Sequence, residues 1–186
     1  GQEALCCNTT AKGNVGIGRS ALRNNTTGKC NVALGSCTLC CNSTGSHNFA
    51  AGASALCSND DSSGNTAIGC QALLNNTTGN FNIGIGNHAL CCNTTAQCNI
   101  AMGPCSLRNN SSGSSNVALG VMTLCNNCCG NNNIALGKNA LTAATTAGAN
   151  IAVGSLSLDA NTTGASNTGV GYRALSGNTT ANQNTA

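Results

Sequence analysis

The apolar residues of this chain recur at fixed positions of a 17-residue unit that repeats without an insertion or a deletion. Each unit starts with Asn, carries mostly aliphatic residues at positions 2 and 4, and has Gly at position 5 and Leu at position 9. The ten complete repeats begin at Asn14, Asn31, Asn48, Asn65, Asn82, Asn99, Asn116, Asn133, Asn150 and Asn167. A strict period gives every repeat the same structural slot on its neighbour. Residues 1–186 are therefore predicted to form a single repeat array with a partial repeat at each end.

The unit is too short for a pair of helices, which needs about 33 residues or more. Positions 1 to 5 alternate with a period of two, as in Asn-Val-Ala-Leu-Gly at 31–35, so Val32 and Leu34 share one face of a predicted strand. A second strand is predicted at positions 7 to 11 around the Leu, and Asn-Thr-Thr-Gly is predicted to be a turn. The pattern indicates an all-β fold, a parallel β-solenoid (β-roll or β-helix) of 17-residue coils about 4.8 Å apart.

The large apolar residues number about three per coil, at positions 2, 4 and 9. Three side chains make a thin core for 17 ordered residues, even with the backbone hydrogen bonds added. The small residues at positions 3 and 8 would let a second chain approach closely. These features predict a homo-oligomer with a shared core.

The recurring N-x-A-[I/V/L]-G unit resembles the head repeats of trimeric autotransporter adhesins of the YadA type, which carry S/N-x-A-I-G units on a parallel β-roll. The fuller unit N-T-A-I-G-C-Q-A-L-L-N-N-T-T-G at 65–79 is also similar to repeats in tail-fibre-like surface proteins of bacteria and phages. The resemblance covers the whole chain. It implies a homotrimer and a rod-like, non-enzymatic structure located at the cell surface or outside the cell.

Charge and hydropathy exclude several classes of partner. Charged residues make up 6% of the chain, the net charge is +3, and the basic residues are spread out, so no nucleic-acid partner is predicted. No apolar run approaches the roughly 18 residues of a membrane-spanning helix, so no membrane span is predicted in this segment. The array starts at position 5 and stops at position 3 without a polar cap, which favours a longer array or subunits stacked head to tail.

Asn falls in two columns of the stacked coils. No position-1 Asn heads a glycosylation sequence, so the ten residues that begin the repeats are predicted to form a hydrogen-bonded ladder. At position 12 many Asn head an N-x-[S/T] sequence, the acceptor pattern for N-linked glycans on a surface turn. An amide buried in a ladder cannot carry a sugar, so the turn and the glycan exclude each other at each site. The candidates for glycosylation are Asn8, Asn25, Asn42, Asn76, Asn93, Asn110, Asn161 and Asn178.

The fifteen cysteines favour an oxidising, extracellular setting and disulfides, with small apolar filling as the other interpretation. One pair shares position 10 of neighbouring coils, whose spacing suits the Cα separation of a disulfide. Two other pairs join position 17 to position 7 of the next coil and are predicted either to bridge locally or to pair with another chain. Vicinal cysteines are expected to face opposite ways and to bond different partners. The pair at position 10 is Cys40 with Cys57. The two pairs between positions 17 and 7 are Cys30 with Cys37 and Cys98 with Cys105.

No catalytic, cofactor or metal site is predicted. His47 and His88 occupy different columns, so no Ser–His–Asp set assembles, and neither stands at ligand spacing from the Cys-x-x-Cys at 125–128. Asp60-Asp61 is the only acidic pair, whereas calcium-binding solenoids carry an Asp in each coil. Glycine-rich segments lack the Lys-Ser/Thr of a phosphate loop.

The sequence therefore predicts a structural protein rather than an enzyme: a rigid segment of an extracellular fibre, filament or stalk. Self-association and covalent glycans are the expected partners. Two alternatives stay open. The variable positions 6, 7, 10, 16 and 17 would give specificity to an adhesin that binds matrix or carbohydrate, and stacked Thr at positions 13 and 14 resemble the flat arrays of ice-binding solenoids.

Overall fold

A computed structural model describes residues 1–186 as a parallel β-solenoid with one short strand in each 17-residue coil. Every strand pairs in parallel with the next one along the chain, and each residue faces the residue 17 positions later, as Val32 faces Phe49. The ten strands therefore form a single sheet, and their order in the sheet is their order in the sequence. The strands are β1 (Val15–Ile17), β2 (Val32–Leu34), β3 (Phe49–Ala51), β4 (Thr66–Ile68), β5 (Ile83–Ile85), β6 (Ile100–Met102), β7 (Val117–Leu119), β8 (Ile134–Leu136), β9 (Ile151–Val153) and β10 (Thr168–Val170).

The strand at positions 2 to 4 matches the sequence prediction, but the second strand predicted at positions 7 to 11 is wrong. That segment is a run of turns. Its Leu at position 9 has φ between 47° and 54° in all eleven occurrences, and the residue at position 7 is also left-handed, as Ser54 with φ 55°. Left-handed residues reverse the direction of the chain and cannot continue a pleated strand.

The face assigned to the core was also wrong. In nine of the ten strands the middle residue, Ala or Gly at position 3, is buried, while the flanking aliphatic residues at positions 2 and 4 are half-buried or exposed. Inside the coil, Ala101 and Leu107 have no exposed surface and belong to one continuous core. The coil is narrow, so one Leu from the turn fills it and only a methyl group or hydrogen fits beside it.

Hydrogen bonds between coils continue well beyond the strands. Of 120 backbone hydrogen bonds, 18 lie within the strands and 102 elsewhere, which shows that the turns are stacked as regularly as the sheet. In one coil the Leu22 amide donates to the Thr38 carbonyl at 3.0 Å and the Asn24 amide to the Cys40 carbonyl at 3.1 Å. The stacked turns satisfy backbone groups that would otherwise be left without partners inside a small protein.

The invariant Gly at position 5 is required by both conformation and space. Gly86 has φ 133°, and a Cβ placed on it would lie 2.7 Å from the carbonyl carbon of Gly103 in the next coil. The corner after each strand therefore brings backbone against backbone. The chain contains no helix that could cross a membrane.

Candidate functional site

The ten Asn residues that begin the repeats lie in one column along the solenoid, and nearly all are buried. Asn99 shows the arrangement: its backbone amide donates to the Asn82 Oδ1 at 3.0 Å, and its own Nδ2 donates to the Gly113 carbonyl at 2.9 Å. The side chain thus links two coils and ties the strand to the turn opposite. The expected ladder is present: the Asn99 Nδ2 also donates to the Asn82 Oδ1 at 3.2 Å, and the shorter bond to that oxygen comes from the Asn99 backbone amide.

Position 12 forms the second Asn column, and here the side chains bond directly to one another. The Asn93 Nδ2 donates to the Asn76 Oδ1 at 2.7 Å, and the Asn110 Nδ2 donates to the Asn93 Oδ1 at 3.0 Å. The same Asn93 Nδ2 also donates to the Ala96 carbonyl at 3.0 Å and so closes its own turn. Each amide therefore contributes to its turn and to the stack.

This column is interrupted at one place. Ala144 stands where every other coil has Asn, and it is fully buried. The Asn127 Oδ1, which would accept from an amide at that position, is buried without a hydrogen-bond partner. The free energy of burying that oxygen is not offset by any contact in the fold.

The column also decides which glycosylation candidates are accessible in the folded chain. Six candidate amides have no exposed surface and donate to the carbonyl three residues later in their own turn, so the folded coil leaves no space for a glycan on them: Asn25, Asn42, Asn76, Asn93, Asn110 and Asn161. Asn8 and Asn178, in the terminal coils, are half-buried. N-glycosylation stays a prediction, and the geometry leaves no space for it at the six buried positions.

The outward side chains at positions 2 and 4, all apolar except Thr66 and Thr168, form two adjacent columns across the whole sheet, which we call the apolar stripe. It runs from Val15 and Ile17 to Thr168 and Val170. Ile134 is 39% exposed and Ile151 40% exposed in the interior of the array, and no charged residue occurs at positions 1 to 5 of any repeat. Ten strands about 4.8 Å apart give a strip roughly 45 Å long and 10 Å wide, as large as the largest apolar patch of a typical monomer.

On another side of the coil, hydroxyl groups form two columns with different environments. Position-13 hydroxyls bond to the next coil, as the Thr77 Oγ1 does with the Thr94 carbonyl at 3.1 Å. Position 14 is exposed in every coil and includes Asp61 and Cys129 as well as Thr and Ser. The hydroxyl groups at position 14 are therefore exposed and free, whereas those at position 13 donate hydrogen bonds to the neighbouring coil. The Ser43 hydroxyl additionally donates to the Asp60 carboxylate.

The cysteines are free thiols, and only some of the predicted pairs are close in space. The Cys40 Sγ lies 3.3 Å from the Cys57 Sγ across neighbouring coils, which leaves a disulfide within reach of a small rotation. Cys30 and Cys37 stand at opposite ends of β2, which advances about 3.3 Å per residue, so a local bridge between them is wrong. The same holds for Cys98 and Cys105 at the ends of β6, and pairing with another chain stays a prediction.

The prediction that vicinal cysteines face apart is wrong because these pairs lie in the turns and bends of the coil and not in a strand, at positions 10 and 11 or, for Cys128 and Cys129, at positions 13 and 14. The Cys40 Sγ lies 3.7 Å from the Cys41 Sγ, so Cys40, Cys41 and Cys57 form a cluster whose sulfur atoms all lie within 4.8 Å of one another. Its members are half-buried or exposed. The repeat register alone predicts that Cys40 and Cys57, at position 10 of adjacent coils, lie close together. The proximity of the Cys41 sulfur depends on the turn geometry, which the register does not predict.

The thiols of this three-cysteine cluster differ in acidity. The hydrogen bond between Cys40 and Cys57 raises the pKa of Cys40 and lowers the pKa of Cys57, so Cys57 ionises first. Burial, followed by the hydrogen bond with Cys40, raises the pKa of Cys41. The guanidinium of Arg23, at position 10 of the preceding coil, opposes these rises in the pKa of Cys40 and Cys41.

The histidines are far apart in the repeat and share no cluster with the cysteines or acids. The surface carries no pocket. The candidate functional features of this chain are thus the apolar stripe, the buried Asn columns and the three-cysteine cluster. No protein-family model, curated protein or solved structure matches the chain.

Proposed function

We propose that the chain is a structural segment of an extracellular fibre, filament or stalk, and that copies of it associate through the apolar stripe. The supporting observation is the combination of an unbroken, in-register stack of coils with an exposed aliphatic strip along its whole length. The stack supplies stiffness, since every coil is hydrogen-bonded to both neighbours through strand, turns and Asn side chains.

A second copy of this chain suits the stripe better than an unrelated partner. Its side chains repeat at the coil spacing, so a second copy presents the same spacing and its aliphatic columns can interdigitate with those of the first. No charged residue at positions 1 to 5 opposes the approach of an identical surface. Burying the strip on two copies removes roughly 900 Å² from water, just below the roughly 1,000 Å² that a specific interface should exceed, so the proposed contact includes residues beside the stripe. The resemblance to trimeric adhesin heads favours three copies around a common axis.

Extracellular placement is part of the proposal. Fifteen cysteines in a chain of 186 residues suit an oxidising compartment, where intercoil or interchain disulfides would add to the stack. Covalent glycans are not proposed at the six acceptor Asn residues that are buried in the column.

The self-association is tested by placing one charge on the stripe. Ile100→Asp, at the first residue of β6, puts a carboxylate into the proposed contact, and we expect a shift from an oligomer toward the 18.2 kDa monomer in sedimentation velocity. Thr95→Asp is the matched control because position 14 is exposed and Asp61 already occupies it in another coil. An unmutated protein that sediments as a monomer at high concentration would contradict the proposal.

Electron microscopy of the native material gives an independent measurement. We expect straight rods in which ten coils account for roughly 45–50 Å of length. Discrete globular particles would contradict the fibre, while rods of single-chain width would contradict association through the stripe alone.

A further inference from the structure

The three-cysteine cluster brings together more sulfur atoms than a disulfide uses. Cys40 and Cys57 stack at position 10 of two adjacent coils, and Cys41 joins them from position 11 because the turn directs both vicinal thiols to one side. The Cys40 Sγ is 3.3 Å from the Cys57 Sγ and 3.7 Å from the Cys41 Sγ, and all three sulfurs lie within 4.8 Å. This is the one group of three metal-ligating side chains in the chain.

These spacings suit one metal ion placed between the sulfurs. A thiolate sulfur binds a d¹⁰ metal at about 2.3 Å, so three ligands around one ion lie about 4 Å apart. Cysteine thiolates are soft ligands and select Cu(I), Zn(II) or iron–sulfur clusters. Structural Zn(II) takes four protein ligands and iron–sulfur clusters take four cysteines, whereas this cluster has three. A trigonal set of three thiolates is a common coordination for Cu(I).

We propose that Cys40, Cys41 and Cys57 form a trigonal thiolate site for Cu(I). The ion enters from solvent, because the three side chains are half-buried or exposed rather than enclosed. Each thiol that binds releases its proton to water, and the metal stays at the +1 state throughout. No electron is transferred in this step.

One feature of the surroundings favours the charged, metal-bound form. Arg23 stands at position 10 of the preceding coil, next to Cys40 in the same column, and its positive charge offsets part of the negative charge of three thiolates around one Cu(I).

A disulfide between Cys40 and Cys57 would compete with the site. That reaction joins the two sulfurs, releases two protons and gives two electrons to an oxidant such as dioxygen, and it removes two of the three ligands. The metal site therefore belongs to the reduced chain. It is independent of whether copies of the chain associate through the apolar stripe.

The test is a site-resolved alkylation experiment on fully reduced protein without oxygen. One equivalent of Cu(I) is added in a buffer with bicinchoninate as a competing chelator, free thiols are alkylated with N-ethylmaleimide, and each cysteine peptide is quantified by mass spectrometry. We expect the cluster cysteines to be protected together, and the vicinal pairs Cys6-Cys7, Cys91-Cys92 and Cys128-Cys129 to react as in the metal-free protein.

Two matched variants identify the third ligand. Cys41→Ser keeps a side chain that position 11 already accepts at Ser58, and Cys92→Ser makes the same change in a vicinal pair that has no third thiol within reach. Loss of an outer-shell partner alone weakens metal sites by about 10–100-fold, so we expect Cys41→Ser to weaken Cu(I) binding by about 100-fold and Cys92→Ser to leave it unchanged. Circular dichroism of both variants checks the fold.

Several results would overturn the proposal. These are equal protection of all vicinal pairs, unchanged Cu(I) affinity in Cys41→Ser, protection by Zn(II) in preference to Cu(I), or a Cys40–Cys57 disulfide that survives the reductant. Protection of the cluster by Cu(I) that disappears in Cys41→Ser would establish the site.

Discussion

Residues at three positions of each coil have a left-handed backbone conformation, with φ near +55°. Most of these residues are not glycine. Positions 7, 9 and 17 hold Leu, Ser, Cys, His, Gln and other residues, yet no Val, Ile or Thr occurs at any of the three. A branched Cβ makes a positive φ much more costly than an unbranched one does. The residue choice at these positions is therefore set by the backbone rather than by burial.

An isomeric substitution isolates this effect. Leu156→Ile keeps volume and hydrophobicity but moves the branch to Cβ at a residue with φ 59°, and we expect it to lower the free energy of unfolding by about 1–2 kcal/mol. Leu136→Ile is the control, since position 4 lies in a strand and carries Ile at Ile68. Equal midpoints for the two variants in urea denaturation would refute this explanation.

The interrupted Asn column gives a prediction of the opposite sign. Ala144→Asn supplies the missing donor to the orphaned Asn127 Oδ1, and we expect the free energy of unfolding to rise by about 1–2 kcal/mol. Ala143→Asn, at position 11 where Asn126 stands one coil earlier, adds the same side chain without reaching the column. If both variants raise the denaturation midpoint equally, the column is not responsible.

The cysteines differ in acidity, which predicts the order of their reactions. Burial raises the pKa of Cys91 to about 11, while the hydrogen bond with Cys40 lowers the pKa of Cys57. The thiolate is the reactive form, so as pH rises we expect Cys57 to be alkylated by iodoacetamide first and Cys91 only near pH 11. Peptide-resolved labelling of reduced protein at increasing pH, from about 6 to 11, measures this order. Earlier labelling of Cys91 would contradict it.

At the scale of the element, the Gly at position 5 determines the geometry of the corner that follows each strand. Gly86→Ala forces a side chain into a positive φ and against the Gly103 backbone, so we expect a loss of more than about 2 kcal/mol in the free energy of unfolding. Gly148→Ala is the control because position 16 carries Ala at Ala165 in the next coil. A small effect of Gly86→Ala would mean that the corner can widen.

The sequence was sufficient for the period, the short strand and the parallel stack, because alternation and strict repetition leave few other folds. It was not sufficient to predict which side of each strand faces the core. Val32 and Leu34 are larger than Ala33, which favours them for a core, but a coil that one Leu39 side chain already fills accepts only the methyl group. The turns at positions 7 to 11 were missed because Leu rarely takes a left-handed conformation, so its presence indicates a strand.

Some of the candidate sites could also be predicted from the sequence, and others could not. The two Asn columns follow directly from the repeat, since equal positions must stack. The sulfur cluster and the apolar stripe do not, because each depends on side-chain direction: Cys41 on a turn that looked like a strand, and the stripe on the outward face of β1 to β10.

For the whole molecule, stability is distributed along one dimension, because each coil contacts only its two neighbours. A defect in the middle should therefore uncouple the two sides of the array. We expect Leu107→Ala, in a fully buried central position, to cost about 2–5 kcal/mol and to speed hydrogen exchange in β6 and β7 before distant strands. Leu175→Ala, at a partly buried position, is expected to cost less. Uniform acceleration along the chain would show that the array unfolds as one unit.

The register between coils also makes the length of the molecule independent of its local structure. Every rung pairs residue i with residue i + 17, and the core, the Asn columns and the corner glycines use the same offset. Duplication or deletion of one 51-nucleotide unit in the coding sequence therefore leaves all remaining contacts in register. Unequal recombination between repeats would lengthen or shorten the rod in steps of about 4.8 Å without disturbing its fold.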